Sequence, residues 1–290
     1  MKKIIITTIF LLSISYVFSQ GSERNSASFN LGDGISFSFN DGDYEFSIFG
    51  FIKPTYIYNE EMIYNVDGEY SNVFRQFKSQ NSNLFFTGFA KDEKLSFTIQ
   101  MDYSSSNPLV EAYIGYHFNE KTKLYFGQMQ VNHNNLEMTH NEDRLRFTNR
   151  GILSQTYTEN GEEFGIFFET SFGKSIIIKP TFAITSGDGK NSFGDDSRDS
   201  DKGGVKFGSR INILPFGDFS IGNQLSTVDL MHEQKPKVQI GFAYSKNMGA
   251  SNRVGDGHGD FIMYDNSGDE LFPDYSQLFL DLNLKYKGFS

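Results

Sequence analysis

Basic side chains at alternate positions of apolar segments are the residues of this sequence with the clearest potential for chemistry. Successive side chains of a β-strand point to opposite faces, so a cation between two bulky apolar residues lies on the polar face. Cations along a channel with low-dielectric walls raise the local concentration of anions. Four residues fit this description and form the first predicted set: Lys179, Lys206, Arg210 and Lys285.

The alternative for this set is structural. Opposite charges on neighbouring strands of a polar sheet face pair with one another. The carboxylates available for such pairs are Glu111, Glu169 and Asp281. The residues alone leave both interpretations open.

Three arginines in the long polar segment of residues 132–160 form a second candidate set: Arg144, Arg146 and Arg150. The planar guanidinium group binds phosphate or carboxylate at two points, which suits an anion site. The alternative is a surface loop in which these arginines form salt bridges with Glu137, Glu142 and Asp143.

The sequence contains no recognisable catalytic or metal-binding motif. It has no cysteine, and its five histidines lack the spacing of a zinc site. The motifs of nucleophile elbows, P-loops and dinucleotide sites do not occur. The acidic loops at residues 186–201 and 255–260 lack EF-hand spacing, so we interpret them as solvated loops rather than calcium sites. We therefore predict no metal, no cofactor and no enzyme, with a barrel enzyme acting on lipid as the remaining alternative.

Alternation of apolar and polar residues along whole segments predicts the elements that position these side chains. It is clearest in residues 95–103, 205–213 and 278–287. Strands of this length with one apolar and one polar face are typical of a transmembrane barrel with a polar lumen. The predicted fold class is an all-β, antiparallel up-and-down transmembrane β-barrel with about twelve strands visible. Its lipid-facing residues include Phe97, Ile99, Ile211, Ile213, Leu280 and Leu282, and its lumen-facing ones Ser96, Thr98, Asn212 and Asn283.

Other segments carry less regular patterns. Residues 44–58 are predicted as one long aromatic strand, residues 59–80 as a loop and residues 219–225 as a strand. Short turns alternate with long loops along the chain, which is the asymmetry of outer-membrane barrels.

The N-terminus has the features of an export signal. Lys2 and Lys3 precede an apolar run at residues 4–12 that is too short to span a bilayer. We predict a signal peptide at residues 1–19, a flexible N-terminus at residues 20–33 and an outer-membrane β-barrel at residues 34–290. The predicted location is the bacterial outer membrane.

The bulk charge limits the partners. The formal net charge is −10, which argues against nucleic acid as a partner. Outer-membrane lipid and small solutes or anions are the partners that the pattern indicates. Bulk charge also counts acids in loops, so it does not exclude a locally basic path.

Several short stretches, in order along residues 44–290, resemble the phosphate-selective porins O and P, especially their Bacteroidetes relatives. The stretches are residues 111–116 (EAYIGY), 124–131 (LYFGQMQV), 136–139 (LEMT), 147–150 (FTNR), 160–166 (NGEEFGI) and 285–289 (KYKGF). The resemblance implies a homotrimeric porin of about sixteen strands whose basic lumen attracts small anions such as phosphate. It implies that about four strands follow Ser290, and that a loop near residues 132–160 folds into the lumen.

The leading functional prediction is passive diffusion of small solutes, with a preference for anions. The alternative is a non-conducting barrel, or a fragment of one, that serves as a structural or surface protein.

Overall fold

The computed structural model describes residues 25–30, 34–65, 68–90, 93–147, 149–158, 161–190, 204–254 and 261–290. The predicted signal peptide lies outside these residues. The described chain is all-β. Its strands are β1 (Ser26–Asn30), β2 (Gly34–Phe39), β3 (Tyr44–Gly50), β4 (Pro54–Asn65), β5 (Gly68–Ser79), β6 (Asn83–Ala90), β7 (Leu95–Asp102), β8 (Leu109–Asn119), β9 (Thr122–Gln130), β10 (Glu162–Glu169), β11 (Phe172–Gly173), β12 (Ile177–Thr185), β13 (Lys206–Leu214), β14 (Lys237–Asn247), β15 (Met263–Tyr264), β16 (Glu270–Leu271) and β17 (Tyr275–Lys285).

Thirteen strands form one antiparallel sheet in which, apart from the two-residue β11, each strand pairs with the next member of the sheet along the chain. The order is β1-β2-β3-β6-β7-β8-β9-β10-β12-β13-β14-β17, and β11 adds to β12. The hairpins β4–β5 and β15–β16 are separate two-stranded sheets. The predicted all-β, antiparallel up-and-down architecture is therefore confirmed.

Within the part of the chain that the structure describes, helices are few and short. One α-helix, α1, spans Ile152–Tyr157, and 3₁₀ turns occur at Asn40–Gly42, Leu136–Thr139 and Glu142–Arg144. Within the described ranges, none of the helices has the length and apolar content needed to cross a membrane.

The exposed face of the main sheet is apolar, and its buried inner face is mainly polar, with a small apolar cluster at Met129, Val131, Phe167 and Ala183. Outward side chains of neighbouring strands are in register, as where Phe242 of β14 lies between Ile211 of β13 and Leu280 of β17. Leu280 is 71 % exposed, whereas the inward Arg210 is 1 % exposed. A soluble sheet buries its apolar face, so this sheet has the reverse arrangement. The predicted division of residues between the two faces agrees with this register.

Strand connections differ between the two edges of the sheet. The edge with short connections, the short-turn edge, carries residues 40–43, 93–94, 120–121 and 170–176. The opposite edge, the long-loop edge, carries the described parts of the connections between β3 and β6, β7 and β8, β9 and β10, β12 and β13, and β14 and β17. The predicted asymmetry is present with two exceptions. Residues 103–108 are a short connection at the long-loop edge, and residues 215–236, which we call the basal segment, are a long one at the short-turn edge.

Three local predictions need correction. Residues 59–80 are mostly strand, because β4 and β5 pair along their whole length and the rings of Tyr56 and Phe77 lie 4.8 Å apart. The long strand predicted for residues 44–58 is interrupted at residues 51–53, just before Pro54, whose missing N–H suits the first position of a strand. Within the segment predicted as a flexible N-terminus, residues 26–30 form β1.

The strand predicted at residues 219–225 is also wrong. This part of the basal segment forms turns, because side chains bind its backbone groups in place of a neighbouring strand. The Ser220 N–H donates to Glu233 (2.7 Å), and the Met231 N–H donates to the side chain of Asn223 (3.0 Å). Local side-chain to backbone bonds of this kind compete with sheet pairing.

The connection between β9 and β10 covers the inner, polar face of the sheet. It starts at the long-loop edge, and the ring of its His133 lies against Gly208 of β13. Further along, its Arg144 carbonyl accepts a hydrogen bond from the N–H of Thr227 (3.0 Å), which belongs to the basal segment of the opposite edge. The described part of this connection, residues 131–147 and 149–158, therefore crosses the inner face from edge to edge, and we call it the inner segment.

Candidate functional site

A buried ion pair connects β10 and β13 on the inner face. Lys206 Nζ lies 2.5 Å from Glu163 Oε1, and both side chains are at most 2 % exposed. The hydroxyl of Thr185 donates to the other oxygen of Glu163, and His133 Nε2 lies 3.8 Å from it. Ions taken out of water need such partners, because an unpaired buried charge is very costly. Lys206 is thus neutralised within the protein.

His133 anchors the inner segment to the sheet above this pair. A Cβ atom at Gly208 would overlap the imidazole ring, so only glycine leaves room for it. Burial is the main cause that lowers the pKa of His133, to about 4; Glu163 opposes this effect and Lys206 adds to it. The ring is therefore neutral at pH 7.

Arg210 joins the inner segment to two strands. Its guanidinium binds Asp281 of β17 at two points, at 2.5 and 3.0 Å, and donates to the backbone carbonyl of Asn134 at 2.8 Å. Its Nε donates to Asn212 (2.7 Å). Gly241 of β14 makes room for the guanidinium, because a side chain there would overlap it. The planar, five-donor group suits this combination of contacts.

Lys285 binds backbone carbonyls of the basal segment rather than a carboxylate. Its ammonium donates to the carbonyl of Asn223 at 2.6 Å and to that of Ser226, and it lies 4.5 Å from the ring centroid of Phe219. The basal segment is further ordered by Asp229, which accepts from the N–H of Gly288 at 2.7 Å. The chain at the end of β17 and the basal segment thus support each other.

Two buried carboxylates of the basal segment stay ionised. Burial alone would raise the pKa of Glu233, but hydrogen bonds from Asn223 and Ser220 hold it below its ordinary value. The pKa of Asp229 is lowered in the same way, against burial, by the N–H groups of Glu233 and Gly288 and by Asn223.

Lys179 is the member of the first predicted set that stays partly open. Its side chain is 32 % exposed and pairs with Asp218 at 2.6 Å. The structure therefore places all four residues on the inner face, as predicted, but in separate contacts rather than in one cluster. The cross-strand pairing alternative holds for Arg210 with Asp281, whereas Glu169 instead accepts from Asn132 at 2.7 Å.

The three arginines of the inner segment have different surroundings. Arg150 is half-buried, pairs with Glu142 at 2.8 Å and donates to the carbonyl of His140 at 2.9 Å, so it braces the turns of the segment. Arg144 pairs with Asp143 at 2.9 Å and remains partly exposed. Arg146 is exposed and donates to the hydroxyl of Ser290 at 3.1 Å. Of the two sets, Lys179, Arg144 and Arg146 are the cations that solvent reaches most easily.

The residues that fix the inner segment were not identified from the sequence. His133 and Glu163 belong to elements far apart from Lys206 along the chain, and no motif connects them. Gly208 and Gly241 did carry a signal, because an inward-facing glycine within a strand marks a close approach of another group.

Metal chemistry finds no support in the geometry. Among the described residues, no group of three or more His, Asp or Glu side chains could hold a metal ion. Most of the acidic loop at residues 186–201, and the whole of residues 255–260, for which calcium binding was the alternative, lie outside the described residues.

Comparisons with known proteins add no family. No protein-family model matches this chain, and no curated protein matches it.

Proposed function

We propose that this chain forms an outer-membrane β-barrel porin through which small solutes diffuse, with the inner segment narrowing the path. The observation that carries the proposal is the reversed polarity of the sheet. A continuous exposed apolar face suits hydrocarbon, and a buried, hydrogen-bonded polar face suits a barrel interior. The export signal predicted at residues 1–19 supports delivery to the outer membrane.

The solute path proposed here runs along the part of the inner face that carries few charges. A row of hydroxyl side chains lies in register across four strands there: Ser36, Ser47, Thr87 and Thr98. These residues are half-buried, in contrast to the fully buried ion pairs of β10–β17. Hydroxyl groups both donate and accept, so they exchange hydrogen bonds with hydrated solutes of either sign.

The porin proposal requires a closed barrel. Within the described residues, β1 and β17 are the two ends of the strand order. A groove of about 900 Å³ follows β17, and its wall includes Ile152, Leu153 and Tyr157 of the inner segment. Barrels leave no free strand edge in a membrane, so a further strand pairing must occupy this groove. The resemblance to porins O and P adds the proposal of a homotrimer.

Planar-bilayer recordings with the purified full-length protein test the proposal. Stepwise conductance increments are expected. To test selectivity, we measure the reversal potential in a salt gradient. We expect the double variant Arg144→Gln with Arg146→Gln to have a lower anion-to-cation permeability ratio than the wild type. Lys78→Gln, on the exposed hairpin β4–β5, is the matched control and should leave the ratio unchanged. The difference in permeability ratio between the double variant and the wild type should shrink as the salt concentration rises, because the Debye length falls to about 3 Å at 1 M salt.

A second candidate is a non-conducting barrel with a structural or surface role. The observation in its favour is the extent to which the inner segment is fixed across the interior, through His133 and Asn134 on one side and Arg144 on the other. Absence of conductance from protein that is folded and inserted would favour this candidate and contradict the porin.

A further inference from the structure

A small polar cavity lies between the inner segment and the sheet, beside the first residues of β10. Its volume is about 200 Å³. The residues of its wall that matter here are Glu142, Arg150, Ser154, Thr158, Glu162 and Lys190. None of the residues Lys206, Arg210 and Lys285 belongs to its wall.

The wall of the cavity is balanced in charge. Arg150 pairs with Glu142 at 2.8 Å, and Lys190 pairs with Glu162 at 3.0 Å. A solute with a single charge would leave this balance uncompensated in a place largely removed from water, which is costly. A solute that carries both a positive and a negative group preserves the balance.

The hydroxyl of Thr158, in the cavity wall, lacks a partner. Thr158 is 3 % exposed, and its hydroxyl makes no hydrogen bond with the described residues. A buried hydroxyl without a hydrogen-bond partner is unfavourable, so a bound molecule that supplies a partner gains affinity. The neighbouring Lys190 ammonium has three N–H donors, and the contact with Glu162 requires one of them.

We propose that this cavity binds a small zwitterionic solute, namely a free α-amino acid with a short side chain. The carboxylate of the solute faces Lys190 and the Thr158 hydroxyl, and its ammonium group faces Glu142 and Glu162. The inference rests on the proposed function, because the solute reaches the cavity from the barrel interior. An α-amino acid is then the class of solute that the channel binds.

Calorimetric titration of the full-length protein, folded in detergent micelles, tests the site. The probes are L-alanine, lactate, which lacks the ammonium group, and isopropylamine, which lacks the carboxylate. L-alanine is expected to bind saturably and at least tenfold more tightly than either analogue. Equal binding of lactate, or no saturable binding of L-alanine, overturns the inference.

Two variants locate the binding in this cavity. Thr158→Val keeps the side-chain shape and removes the hydroxyl, and Lys190→Gln removes the charge. Each is expected to weaken L-alanine binding at least tenfold, whereas the surface variant Lys78→Gln should bind as the wild type does. Circular dichroism verifies that each variant is folded, and binding that is unchanged in both folded cavity variants overturns the site.

Conductance separates this inference from the proposed function. Protein that binds L-alanine through Thr158 and Lys190 but does not conduct supports the site and contradicts the porin. Protein that conducts but does not bind L-alanine retains the porin and overturns the site.

Discussion

The inner face of the sheet has two regions that satisfy polar groups in different ways. In the first region, β2–β7, neutral hydroxyls face one another. For example, the hydroxyl oxygens of Ser36 and Ser47 lie 2.8 Å apart. In the second, β10–β17, ion pairs such as Lys206 with Glu163 are fully buried under the inner segment. The difference shows that charge on the inner face of this sheet need not serve a solute. In this chain most of it fixes the protein's own interior segment.

Most of the basic residues predicted to attract anions are covered by the protein itself. Three of the four inward cations are at most 2 % exposed, because the inner and basal segments cover them. Paired charges with little access to solvent create little field along a path. We therefore expect any anion preference to depend on the exposed Arg144 and Arg146 instead.

The largest expected effect comes from breaking one ion pair of the second region. Asp281→Ala leaves the Arg210 guanidinium buried without its carboxylate, which should cost about 3–5 kcal/mol of unfolding free energy. Ser47→Ala is the matched change in the first region and should cost about 1 kcal/mol. Urea unfolding in phospholipid vesicles measures both. Similar losses for the two variants would remove the distinction between the regions.

The next effect is a pH dependence confined to the second region. The folded-state pKa of His133 is lowered to about 4, against an unfolded value of 6.5, so the folded state favours the neutral ring. Its contribution is complete above pH 6.5 and is lost as the pH falls from 6.5 towards 4. A shift of this size corresponds to about 3 kcal/mol.

Urea unfolding at a series of pH values between 7 and 4 measures this loss. His133→Leu keeps a side chain of comparable size and should remove the pH dependence attributable to this ring. An equally steep decline in the variant would mean that other groups are responsible.

A smaller effect is expected from filling the space under the imidazole. Gly208→Ala should cost about 1–3 kcal/mol, because the added methyl group overlaps the His133 ring. The double variant with His133→Ala should recover part of this loss, since the smaller side chain makes room. Additive losses in this double-mutant cycle would show that the two residues do not interact.

The comparison also shows which parts of the fold the sequence could predict. Alternation is a local property, so residues 95–103 and 278–287 were correctly predicted as strands with the correct outward face. Apart from residues 54–58, the hairpin β4–β5 was missed, because its polar residues, such as Asn59, Glu61 and Asn72, obscure the alternation. The basal segment was mistaken for a strand because Phe219, Ile221 and Leu225 alternate, although side chains bind its backbone.

The interior contacts depended on residues that are distant along the chain. Arg210 and Asp281 are 71 residues apart, and Lys206 and Glu163 are 43 apart. Composition and spacing place each of them on the inner face, but they do not say which pairs meet. The position of the inner segment depends on such long-range contacts, so its coverage of the basic residues could not be predicted.

We expect the exposed apolar face of the sheet to contact lipid. Because the chain contains no cysteine, Leu280→Cys and Thr98→Cys each provide a unique site for a nitroxide label. Electron paramagnetic resonance of the protein in phospholipid vesicles then compares collisions with oxygen, which concentrates in lipid, and with a water-soluble nickel complex. We predict that the label at position 280 collides mainly with oxygen and the label at position 98 mainly with the nickel complex. Preferential collision of the label at position 280 with the nickel complex would contradict a membrane-embedded sheet.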